Sequence, residues 1–201
     1  MNQRAFLTLL ATLVAATLPI HAAPKTSVTP VKSAKSEPLW GQTVNGVQLG
    51  ITADAAGPRR VGEQAFYTLT IRNQSKTALA LQYFRPILLA PTVLDARGKF
   101  VVIFTPVFNG PVQRVVKEIA PGEVFEYAHG AVGIVAPNPD PAVNWGRQWQ
   151  QIGVPVIGAE PGKYAVSYTL RFDKLDAAST PKTAHAWDGT LTSGTLTLEV
   201  K

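Results

Sequence analysis

YAVSYTLRF, residues 164–172, is the stretch that decides the fold. Tyr164, Val166, Tyr168, Leu170 and Phe172 occupy every second position, with Ser167, Thr169 and Arg171 among the residues between them. A period of two sends successive side chains to opposite faces, so this is a strand with one dry and one wet face, as antiparallel sheets use. A helix would instead space its apolar residues by three and four. The same alternation recurs on both sides. Val47, Leu49, Ile51 and Ala53 share a face in VNGVQLGITAD, as do Tyr67, Leu69 and Ile71 in AFYTLTIRN and Leu79, Leu81 and Tyr83 in TALALQY. Near the C-terminus, Leu196, Leu198 and Val200 oppose Thr195, Thr197 and Glu199.

Turn chemistry separates these runs. AAGPRRVGE, NQSK, ARGK, APGE and EPGK put Gly or Asn where positive φ is needed and Pro where φ is preset. The less regular runs PTVLD, FVVIF, VQRVVKEI and EVFEYA lie between them. Eight or nine strands with no long helical pattern predict an all-β fold, an immunoglobulin-like antiparallel β-sandwich. EPGKYAVSY reads as a strand start whose first tyrosine, Tyr164, closes a tyrosine corner.

Several of these stretches resemble a known family. GEQAFYTLTIRNQSKTALALQY, VLDARGKFV, IAPGEVFEY and EPGKYAVSYTL occur in an order similar to the proteinase-inhibitor-like immunoglobulin domain called BsuPI. WGQTVNGVQLGI and WDGTLTSGTLTLEV look like uncharacterised secreted domains of planctomycete-type bacteria, some of them joined to sensor peptidases. The resemblance covers most of residues 39–201 and implies an immunoglobulin-type fold, with proteinase inhibition as an alternative function. Its matching residues are turn and core positions, so no inhibitory residue is carried over.

The N-terminus reads as an export signal over 1–22. Arg4 precedes the apolar run AFLTLLATLVAATL, Ala5 to Leu18, which is shorter than the roughly 20 residues a spanning helix needs. Cleavage is expected after Ala22. Residues 23–38, rich in Pro, Ser, Thr and Lys, read as a flexible linker, and 39–201 as one sandwich domain. The expected location is periplasmic or secreted, with no stable membrane insertion once the signal is cut. No cysteine is present, which excludes disulfides, thiolate metal sites, cysteine nucleophiles and a lipidated cysteine. The net charge of +6 falls to +3 over 39–201, where 15 basic residues face 12 acidic ones. An excess that small and scattered argues against nucleic acid.

No chemical constellation stands out. His185 and Asp188 in HAWDG are better explained as a turn at Asp188-Gly189 with Trp187 in the core than as a ligand pair. His129 reads as a lone surface histidine at a strand end. Glu123 and Glu126, and Asp173 and Asp176 in FDKLDAAST, read as solvated strand ends and turn caps rather than acid–base pairs. No G-x-S-x-G elbow or phosphate-binding glycine loop occurs. Neither a catalytic site, a metal nor a cofactor is therefore expected.

The best remaining candidate is NPDPAVNWGRQWQQIG, residues 138–153. Asp140-Pro141 starts a helix and Gly153 can end it, so a short helical insertion is predicted near 141–152. Ala142, Trp145, Trp149 and Ile152 form one apolar stripe, with Arg147 and Gln148 beside it. Trp145 and Trp149 either cap the open end of the sandwich or offer an exposed platform to a partner. Gly146 weakens the helix by about 1 kcal/mol relative to alanine, so packing must hold it, which favours the cap. The expected function is a non-catalytic exported binding or accessory module of the cell envelope, with a protein or an envelope polymer as partner. A proteinase inhibitor and an envelope-polymer hydrolase are the competing readings.

Overall fold

The computed structural model describes residues 36–85, 89–105, 107, 110–137 and 154–201. The expected signal peptide (1–22), residues 23–35 of the expected linker and the expected helix near 141–152 lie outside the described residues. Ala34–Lys201 form one compact unit.

Among the described residues the fold is all-β, with several sheets in a sandwich-like arrangement. The largest sheet has the order β1 (Leu39–Trp40), β2 (Val47–Ala53), β3 (Gln64–Asn73), β8 (Val124–Val135), β9 (Val156–Gly158) and β6 (Val102–Phe104). Its neighbours are antiparallel except β8 and β9, which run parallel. A second sheet is centred on β10 (Gly162–Phe172), the strand that opened the sequence analysis. β12 (Gly189–Thr192) and β13 (Leu196–Val200) follow each other along one edge of β10, and β5 (Pro91–Leu94) takes the other. In the third sheet β4 (Leu79–Arg85) lies between antiparallel β7 (Gln113–Ile119) and parallel β11 (His185–Ala186).

The alternation translates directly into burial. Val47, Leu49 and Ile51, Tyr67, Leu69 and Ile71, Leu79, Leu81 and Tyr83, and Tyr164, Val166, Tyr168 and Phe172 all enter one core cluster. Burying each of the larger apolar side chains contributes about 1.5–3 kcal/mol. An edge-to-face chain of rings, Tyr83–Tyr127–Phe172–Trp187, runs through it. Trp187 is buried as expected, but the turn expected at Asp188-Gly189 is not formed, because Gly189, with a φ of 148°, already begins β12. Asn73 is the fully buried polar residue of the core rim. Its Nδ2 donates to the Thr77 and Ile119 carbonyls, and its Oδ1 accepts from Ser75 N–H and Oγ–H, which satisfies the amide.

The described residues hold thirteen strands against the eight or nine expected. The four that were not anticipated, β1, β9, β11 and β12, are two to four residues long. A period of two does not show over so few residues, and the equally short β5 and β6 were legible from the apolar runs PTVLD and FVVIF instead.

Candidate functional site

A cleft of about 610 Å³ opens where β1 meets β12, lined by Trp40, Gly41, Gln42, Val44, Thr190, Thr192 and Ser193. Two backbone approaches create it. A Cβ on Gly41 would lie 1.7 Å from the Thr192 carbonyl oxygen, and one on Gly194 would lie 2.6 Å from that of Leu39. Glycine at both positions lets β1 touch the β12–β13 edge while still pairing with β2, and Gly194 N–H donates to the Leu39 carbonyl at 3.1 Å. The β12–β13 edge itself is bulged. Leu191 to Leu196 is five steps, while their partners Leu170 to Val166 are four apart. Ser193 fills the bulge. Its Oγ accepts from Tyr168 N–H and its own N–H donates to the Tyr168 carbonyl.

The cleft wall at Trp40 is built on the outer face of the large sheet. A Cβ on Gly50 would fall 2.8 Å from Trp40 Cε3 and 2.9 Å from Thr70 Oγ1, so the indole lies where only glycine leaves room. Arg72 stacks over that ring, its guanidinium carbon 4.1 Å from the centroid. Arg72 Nε donates to Gln48 Oε1 at 2.6 Å, and Gln48 Nε2 donates to the Gly41 carbonyl at 2.8 Å. With the Gln74 amide turned so that its oxygen faces the guanidinium, it accepts from Arg72 Nη2 at 3.0 Å while its nitrogen donates to Thr43 Oγ1 at 2.9 Å. The network ties the indole, β2, β3 and the Gly41 carbonyl into one rigid frame.

Of the residues singled out from sequence, Trp145, Arg147, Gln148 and Trp149 lie outside the described residues. His185 and Asp188 are exposed, and Trp187 between them is buried. Among the described residues no cluster of three or more His, Asp or Glu is placed to hold a metal. Glu123 caps the Ala120–Glu123 turn. Its carboxylate accepts from Lys117 Nζ and from Ala120 N–H, which hold it below the usual carboxylate range. Asp176 accepts from Ser179 and pairs with Arg114, with the same effect on its carboxyl. Asp173 pairs with Arg171.

His129 is not the lone histidine it reads as. Its Nε2 lies 2.7 Å from Glu126 Oε1 and its Nδ1 lies 3.3 Å from Thr68 Oγ1, whose hydroxyl donates to Asp54 Oδ1 at 2.8 Å. Residues three apart in a regular strand point to opposite faces. Here Leu69 pairs with Ala128 and Thr70 with Glu126, so Tyr127 is an extra residue and the bulge returns Glu126 and His129 to one face. Both side chains are exposed on the sheet face, and neither lines the cleft.

No family model and no curated protein matches the chain. Among solved structures, Bacteroides uniformis beta-glucuronidase 2, covalently bound to cyclophellitol-6-carboxylate aziridine, is similar at 14% identity. The match covers 73% of this chain and 13% of that one with a TM-score of 0.27, which carries no weight for fold or activity. No helix among the described residues is long and apolar enough to cross a membrane.

Proposed function

We propose that this chain is a non-catalytic binding or accessory module, exported to the cell envelope and built on an immunoglobulin-like sandwich. Supporting the fold assignment, β2, β3 and β8 are antiparallel neighbours, with β10 and its edge strand β13 in a separate sheet. At the start of β10, Tyr164 Oη donates to the Glu160 carbonyl at 2.8 Å, the bond that defines a tyrosine corner. Export rests on Arg4 and the apolar run that follows it.

The observation that carries the binding assignment is the cleft between Trp40 and Thr190. Its lining combines one aromatic with amide and hydroxyl groups on a frame fixed by backbone contact. Groups of this kind hold a ligand without trading protons at neutral pH. The test is retention from envelope extract on immobilised full-length protein, followed by mass spectrometry and saccharide analysis. Material retained by the parent and lost with Gln42→Ala/Thr190→Val supports a binding module working through this cleft. Equal retention by both proteins places binding elsewhere, and no retention at all removes the assignment.

A further inference from the structure

We propose that the Trp40–Thr190 cleft recognises an uncharged, hydroxyl-rich ligand, the chemistry of a neutral saccharide chain. The inference rests on the binding-module reading and names its ligand class. Among the described residues no charged side chain lines the cleft. The cation in contact with Trp40, Arg72, is not in the lining, and its Nε and Nη2 already face amide oxygens.

The lining divides into groups that hold the frame and groups left to meet a ligand. Ser193 Oγ is engaged by Tyr168 N–H and donates to the Gly194 carbonyl, and Thr192 Oγ1 shares a bond with Thr169 Oγ1. Gln42 and Thr190 are both exposed, and neither side chain is used in the hydrogen bonds among the described residues. Gln42 offers a carbonyl and an amino group, and Thr190 a hydroxyl that donates and accepts. Sugar hydroxyls, which also donate and accept, complement this pair, whereas carboxylate or phosphate would engage only its donors and leave the Gln42 carbonyl without a donor. Trp40 adds an apolar border rather than a stacking face, because its indole is held between Gly50 beneath it and Arg72 upon it. Little conformational entropy remains to be lost when a ligand meets that border. At about 610 Å³ the space falls within the size of small-molecule sites.

The experiment is calorimetric titration of the full chain with cellohexaose, maltohexaose and the hexamer of N-acetylglucosamine, with hexagalacturonate as the acidic arm. At least one neutral hexamer is expected to bind, and Gln42→Ala/Thr190→Val is expected to weaken it tenfold or more with an unchanged melting temperature. Gln42→Ala and Thr190→Val are measured singly as well, so that a folding defect in the double variant cannot hide the result. No binding by any neutral hexamer, tighter binding of hexagalacturonate, or parental affinity in the folded variants would overturn the proposal. A protein retained from extract only by the intact cleft, with no saccharide bound, would overturn the ligand class and leave the binding module standing. Loss of both removes both.

Discussion

Tyr164 and Tyr168 stand four residues apart on the buried face of β10, and their hydroxyls meet different surroundings. Tyr164 Oη donates to the Glu160 carbonyl, while Tyr168 Oη is buried with no partner among the described residues. Tyr168 Oη occupies space left by Gly130, where a Cβ would lie 2.7 Å away. Removing a bonded hydroxyl costs about 0.5–1.5 kcal/mol, whereas removing an unpaired buried one is neutral or favourable. Tyr164→Phe should therefore lower stability in urea melts by about 1 kcal/mol, and Tyr168→Phe should leave it unchanged or raise it. A greater loss at Tyr168 than at Tyr164 would show that its hydroxyl is paired. Sequence spacing predicted that both rings are buried, and it predicted the corner at Tyr164. It carried no sign of the unpaired hydroxyl at Tyr168, because the position of Gly130 beside it depends on a strand more than thirty residues earlier.

At the scale of elements, the cleft depends on where β1 is allowed to run. Gly41 and Gly194 are 153 positions apart in sequence, yet each faces backbone belonging to the other's neighbourhood. Gly41→Ala would drive a methyl into the Thr192 carbonyl, and the backbone there has no rotamer to yield. We expect a loss of about 3 kcal/mol or more, at the upper end of overpacking costs. Gly162→Ala is the matched control, since its added Cβ would meet only the Glu160 carbonyl, at 3.9 Å, and it should be neutral or slightly stabilising. Equal thermal melts for the two variants would mean that β1 does not press against β12. Two-residue β1 and four-residue β12 are too short for a period, so the walls of the cleft were hidden in sequence. The pairing of His129 with Glu126 was hidden for a related reason, because one bulged residue reverses the face that counting assigns.

For the whole molecule, the titrating groups set a stability plateau with two edges. Lys117 and the Ala120 N–H depress the Glu123 carboxyl, and the Lys99 and Arg97 N–H groups do the same for Asp95. A depressed carboxyl contributes stability that is complete above its unfolded value and lost as pH falls through the folded one. Burial, with Tyr83 close by, raises the Tyr127 phenol to about 12. That contribution is complete below the ordinary value of 10.0 and is lost as pH rises towards about 12. Burial raises Tyr67 and Tyr168 as well and adds to the alkaline edge. Melting temperature measured against pH should therefore be flat near neutrality, fall below about pH 4.5 and fall again above about pH 10. Glu123→Gln should flatten part of the acid arm, and a plateau continuing undiminished to pH 3 would contradict the Glu123 and Asp95 contacts.

The sequence by itself determined the class of fold, most of its longer strands and the residues that fill the core, because alternation and turn chemistry are local properties. It also determined that no thiol chemistry is available, because no cysteine exists to supply it. Tertiary structure alone decided which strands became neighbours, that Asn73 would bridge Thr77 and Ile119, and that an indole would lie flat on Gly50 beneath Arg72. Those outcomes follow from contacts between segments far apart in the chain. A glycine that admits a distant carbonyl looks, in sequence, like any other glycine.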